Sequence, residues 1–247
     1  MERCTRYRQE VPYLVEPYWA EGTGLCSQCC AEGVREMDRL DSWPYHPEFN
    51  PMPIDRVPIT PTMEEYARFA QSKLLAAVKG SRDSQLNDGQ GYTGVQAQDA
   101  NYVGAMGELS VFKALRRAGK ECLYAPRFDG RPDAGDITVV MDGHKATIDV
   151  KAARKLTASW LLVSLPQWHN TNFHGDIFVA VRGVEHEARI MGHVVGRDAF
   201  VPAPSFLRCV PSMGVSYDDL PSFQRLLDRL KDGDAIADFP PDHPAHQ

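Results

Sequence analysis

The chain has no apolar run near the roughly 18–20 residues that a membrane-spanning helix needs. Its first ten residues, MERCTRYRQE, lack the apolar core of a secretory signal peptide. Both absences lead us to expect a cytoplasmic protein with no membrane partner. Cysteine is sparse and scattered, at Cys4, Cys26, Cys29, Cys30, Cys122 and Cys209, and in the cytosol these thiols are expected to be reduced. Only Cys26, Cys29 and Cys30 lie close together; with Cys4 or His46 they are candidate zinc ligands, against the plainer reading of free thiols. Positive charge is not in excess either: the net charge of −6 speaks against a protein that coats nucleic acid by charge alone.

What is present is the composition of a globular protein, 43% apolar and 24% charged over 247 residues. That is enough chain for one large domain, or for a core with a smaller appendage. Charge is uneven. Residues 101–200 hold 13 Lys and Arg against 11 Asp and Glu, with five histidines, so the middle is the one positive segment. It is compatible with a phosphate-bearing substrate.

Residues 1–60 are acidic, rich in Pro, Trp and Tyr, and aperiodic. They are expected to form an irregular extension, with 44–61 an extended connector. Residues 61–231 carry the periodic segments of the core, and 232–247 are expected to be disordered. Thr62-Met63-Glu64-Glu65 reads as a capping box opening a helix to about Lys79. A Gly- and Asp-rich loop over 80–100 should follow. A second helix is expected over 102–118, capped by Asn101 and stopped by Gly119. On it Glu108, Val111, Phe112 and Leu115 share one stripe, so Glu108 sits on an apolar face where a carboxylate is costly unless paired or bound to metal. Gly104 and Gly107 would let that helix approach a neighbouring backbone closely. Strands are expected at 123–125, 160–165, 176–181 and 189–195, and a short helix from Asp218 to about Leu230. This order indicates an α/β fold, a mixed β-sheet core flanked by helices.

The most informative stretch is Asp136–Lys151. Two alternating runs flank Asp142-Gly143, the pair that best suits a type I′ hairpin turn. With that turn Met141 opposes His144, and Asp136 falls opposite Asp149 with Lys151 on the same face. Two opposed carboxylates are destabilising, and a divalent cation between them would remove the cost. Ile137, Val139, Met141, Ala146, Ile148 and Val150 make an ordinary core face on the other side. A merely solvated polar face is the bland alternative.

Glu108 on a helix, Asp136 at the start of one strand and Asp149-Val150-Lys151 ending the next together resemble the PD-(D/E)XK nuclease superfamily of phage and bacterial type, over roughly residues 100–200. The resemblance implies a restriction-endonuclease-like fold and Mg²⁺-dependent hydrolysis of DNA phosphodiesters, Mn²⁺ substituting. It implies Asp136, Asp149 and the Val150 carbonyl as metal ligands, Glu108 directly or through water, and Lys151 as the catalytic cation. Two departures stand out: the second acid is Asp149 where Glu is commoner, and Pro132-Asp133 makes Asp133 a rival to Asp136. Arg154 and Lys155 would contact flanking phosphates. Gln167 and Trp168 lie in a polar-aromatic stretch where Trp168 either stacks on a base or packs against the sheet. Alternatives are a structure-specific or RNA-directed nuclease, and a non-catalytic nucleic-acid-binding module; a homodimer is compatible with each.

Overall fold

The structure, a computed structural model, describes residues 2–3, 10–11, 53–80, 94–126, 136–169, 175–184, 187–204 and 211–238. The chain divides into two units, Met1–Phe49 with Thr60–Thr62, and Asn50–Ile59 with Met63–Gln247. In the first, strands β1 (Glu2–Arg3) and β2 (Glu10–Val11) pair antiparallel. Cys4, Cys26, Cys29 and Cys30 lie outside the described residues, as do Asp133 and Cys209.

From Asn50 on, the chain runs β3 (Arg56–Pro58), α1 (Pro61–Gly80), α2 (Gly94–Arg117), β4 (Cys122–Tyr124), β5 (Ile137–Met141), β6 (His144–Ala153), β7 (Trp160–Ser164) and α3 (Leu165–His169). It continues with β8 (Ile177–Arg182), β9 (Glu187–Val195), β10 (Val201–Pro202), β11 (Ser212–Ser216), a 3₁₀ turn (Tyr217–Asp219), α4 (Phe223–Leu227) and β12 (Ala235–Ala237). Among the described residues, seven strands form one mixed sheet in the order β12-β4-β5-β6-β8-β9-β3, and β10-β11-β7 form a smaller antiparallel sheet. The α/β expectation of a mixed sheet flanked by helices therefore holds. No described helix is long and apolar enough to cross a membrane.

Strand alternation sorts the core into two layers. Ile148 and Val150 of β6 and Ile177, Val179 and Val181 of β8 face α1 and α2, where Met63, Met106, Phe112 and Leu115 are buried. Phe178 and Ala180, on the opposite face, pack with Leu161 and Val163 of β7 and with Phe200, Val215 and Tyr217. The hairpin forms as its sequence requires. Asp142 (φ 50°) and Gly143 (φ 81°) both take the left-handed conformation of a type I′ turn, and Met141 opposes His144. The hairpin tip is tied to the segment that follows α4. Arg229 pairs with Asp142 at 2.5 Å, and its hydrogen bond, then its charge, holds the Asp142 carboxyl below its ordinary range.

Several boundaries move, each for a local reason. α1 starts at Pro61 instead of being capped by Thr62, because proline's fixed φ and missing N–H suit the first helical position. α2 begins at Gly94, so Asn101 lies inside the helix and does not cap it; the intervening Gln and Ala are good helix formers whose lack of apolar periodicity hides them. Gly119 (φ 64°) ends that helix as expected. Pro221 splits the single helix expected over 218–230 into the 3₁₀ turn and α4. The tail, expected to be disordered as a whole, supplies β12, which pairs in parallel with β4. The proline-rich connector likewise contributes β3, an edge strand that pairs with β9 and so can tolerate Pro58.

Candidate active site

β6 is longer than its partner. β5 pairs with it only from His144 to Ile148, whereas β6 continues to Ala153 and pairs in parallel with β8 from Ile148 onward. A notch therefore opens beside Val150, where β5 has ended. The four candidate side chains converge on it.

Asp136 stands at the rim. By the hairpin register it should oppose Asp149, but the ladder ends at Ile137↔Ile148, and the Asp136 N–H turns to the Ile148 carbonyl at 2.7 Å. Ile148 thus faces two residues of the β5 chain, a bulge-like departure that re-aims the side chain and spares the two carboxylates a directly opposed pairing. Asp136 Oδ2 instead accepts the N–H of Val150 at 2.6 Å. A strand residue presents its N–H and C=O to the same side, so the Val150 carbonyl also faces the β5 side of β6, towards the notch.

Asp149 and Lys151 leave β6 on the face shared with Phe178 and Ala180, their partners on β8. Asp149 is buried, and its Oδ1 holds the Lys151 ammonium at 2.7 Å. The pair is seated by Gly175: a Cβ there would lie 2.8 Å from the Asp149 Cβ and 3.2 Å from the Phe178 ring. Glu108 arrives from the other face. α2 lies on β6 so closely that a Cβ on Gly107 would come within 2.4 Å of the Ala152 Cβ. This is the close approach expected of a helix glycine at that position. Among the described residues Gly104 meets no neighbouring element; a Cβ there would reach Glu108 Oε1, at 3.8 Å. Val111, Phe112 and Leu115 are buried as the stripe requires, with Glu108 half-buried at its end.

The electrostatics link these groups. The Asp136 carboxyl is pushed well above its ordinary range, by burial first and then by the negative charges of Glu108 and Asp149; Lys151 and the Val150 N–H pull it back only in part. Three carboxylates and one ammonium leave an excess of negative charge at the notch. Among the described residues no group of three or more His, Cys, Asp or Glu side chains could hold a metal ion by themselves. The residues that could hold an ion there are Asp136, Asp149 and the Val150 carbonyl, hard oxygens beside excess negative charge, with Glu108 near enough to act directly or through water. That suits Mg²⁺, which is ordinarily held by one or two carboxylates with water and substrate phosphate completing its shell.

Two contributors were not legible in the sequence. Tyr124 of β4 is fully buried and donates its hydroxyl to Glu108 Oε2 at 3.1 Å. The Tyr66 hydroxyl of α1 pairs in turn with that of Tyr124. Burial, Glu108 and Tyr66 all push the Tyr124 phenol well above its ordinary range. Alternation could place Tyr124 on a core face, but only pairing of Tyr124 with Ile137 brings it beside Asp136.

The outlying candidates are less gathered. Arg154 is half-buried just beyond β6, and Lys155 is exposed. Gln167 and Trp168 lie on α3; the Trp168 ring packs against Phe200 with centroids 5.0 Å apart, and Arg197 lies over it at 4.9 Å. These contacts seat Trp168, half-buried, against the second core layer. Neither protein-family models, nor curated proteins, nor solved structures give a match to this chain.

Proposed function

We propose that the chain is a metal-dependent nuclease on a restriction-endonuclease-like core of the PD-(D/E)XK kind, hydrolysing phosphodiester bonds of DNA. One observation carries this: Asp136, Asp149, Lys151 and Glu108, from three elements and both sheet faces, meet where β5 ends beside β6. A solvated polar face would not draw a helix glutamate towards it, nor leave Asp136 burdened by like charge.

Asp136, Asp149 and the Val150 carbonyl would hold Mg²⁺, or Mn²⁺ in its place, with Glu108 contributing directly or through water. The ion supplies Lewis acidity, lowering the pKa of a bound water and offsetting charge on the scissile phosphate. Lys151, oriented by Asp149 at 2.7 Å, presents a fixed positive charge where negative charge grows on the phosphate in the transition state. It also orients the attacking water. Asp136 is held by the Val150 N–H, so little reorganisation accompanies reaction. Water attacks phosphorus, the bond to the leaving oxygen breaks, and no covalent enzyme intermediate forms. Arg154 and Lys155, beyond the end of β6, would add phosphate contacts that raise affinity without reading sequence.

The test is cleavage of supercoiled plasmid and single-stranded DNA with Mg²⁺ or Mn²⁺, by wild type, Asp149→Ala and Lys151→Ala. Wild type should cut in a metal-dependent way and both variants should lose activity by about 10²-fold or more. Intact substrates under every metal condition would refute the nuclease proposal; full activity in Lys151→Ala would refute the role given to the lysine.

A further inference from the structure

We propose that Tyr124, backed by Tyr66, is a positioning residue that sets the Glu108 carboxylate for metal binding, an inference that rests on the nuclease proposal. The geometry is directional. Tyr124 donates its single hydroxyl proton to Glu108 Oε2 at 3.1 Å, so the proton shared between the two phenols comes from Tyr66 to the Tyr124 oxygen. The chain therefore runs from Tyr66 on α1 through Tyr124 on β4 to Glu108 on α2, three elements fixed by different parts of the core.

Packing does not require these hydroxyls. Tyr66 and Tyr124 are 2% and 0% exposed, and phenylalanine would fill nearly the same volume without burying a polar group. Their rings are already held by apolar neighbours: Tyr124 packs against Phe112, one turn beyond Glu108 on the same helix, with centroids 5.3 Å apart. What the phenols add is an anchor for one carboxylate oxygen. The terminal torsion of a glutamate is broad, and a donor on Oε2 fixes where Oε1 lies. Gly107 fixes the helix backbone against β6 at the preceding position. Backbone and carboxylate are thus located independently, as an outer-shell partner of a metal ligand is expected to do.

The test measures Mn²⁺ affinity of the full chain by titration calorimetry, alongside cleavage kinetics, for wild type, Tyr124→Phe, Tyr66→Phe, Glu108→Gln and each tyrosine variant combined with Glu108→Gln. Tyr124→Phe should weaken Mn²⁺ binding by about 10–100-fold and lower kcat with KM for DNA unchanged. Tyr66→Phe, which leaves the bond to Glu108 in place, should have a smaller effect of the same kind. Neither should weaken binding further once Glu108 is glutamine. Wild-type affinity in Tyr124→Phe would overturn the inference, as would an equal loss in the Glu108→Gln background, the mark of a merely structural role. Should Tyr124→Phe fail to fold by circular dichroism, Tyr66→Phe decides: a loss confined to the Glu108 background supports the chain, and no loss overturns it. Wild type that neither binds Mn²⁺ nor cuts DNA would instead refute the nuclease proposal itself, a separate result from unaltered binding in the tyrosine variants.

Discussion

Gly107 offers the sharpest test of how the candidate site is assembled, because the outcome depends on packing and not on the chemistry assigned. An alanine Cβ there would sit 2.4 Å from the Ala152 Cβ, 3.4 Å from Val150 Cγ1 and 3.6 Å from the Ala152 Cα. Carbon atoms pack comfortably at about 3.5–4.0 Å, so α2 and β6 must separate by roughly 1 Å, at an overpacking cost of about 1–3 kcal/mol. Against this, alanine improves the helix by about 1 kcal/mol. The net is a loss of about 0–2 kcal/mol, a fall in Tm of up to roughly 4–8 °C at about 2–4 °C per kcal/mol for a chain of this size. Ala152→Gly removes the nearest clash, so Gly107→Ala should be tolerated better in that background, with a coupling of about 0.5–3 kcal/mol. Thermal and urea unfolding of the four proteins measure this cycle. Glu108 moves with the helix, so cleavage by Gly107→Ala should fall further than its stability does and recover in the double variant. A Gly107→Ala protein more stable than wild type, with no coupling to position 152, would refute the close seating of α2 on β6.

Gly175→Ala should act on the other side of the sheet: its Cβ would press on Asp149 and Phe178, so cleavage should drop while near-native far-UV dichroism persists, and undiminished activity would count against the seating of Asp149. Asp136→Asn keeps an acceptor for the Val150 N–H and removes the repulsion from Glu108 and Asp149; in metal-free buffer its Tm should exceed wild type while cleavage is lost, and a lower Tm would contradict the excess negative charge. His193 is buried, and burial, helped by Arg229 and Arg225, outweighs backbone hydrogen bonds to hold its pKa below the ordinary value of 6.5. The unfolded chain takes up that proton first as pH falls, so the histidine's contribution to stability is full above about 6.5 and declines below it. Tm should fall between pH 7.5 and 5.5 and fall less in His193→Gln; parallel pH profiles would exclude the histidine as the cause.

The sequence alone determined the hairpin, because positive φ at two adjacent positions suits few residues besides Asp-Gly, and a period-2 pattern then fixes which side chains share a face. It determined the core stripe of α2, with Glu108 at its end, since helical spacing is a local property. It also marked Gly107 as a point of close approach. Tertiary structure decided the rest. Nothing local shows that β5 ends one residue before Asp136 could pair with Asp149, yet that end makes the notch and turns the aspartate to the Val150 N–H. The start of α2 at Gly94 is silent in apolar periodicity, and β12 depends on β4, far away in sequence, to order a polar tail. The tyrosine chain is the plainest case. Tyr66, Tyr124 and Glu108 lie on three elements, and their hydroxyls and carboxylate become partners only when β4 pairs with β5 and both helices close over the same face of the sheet.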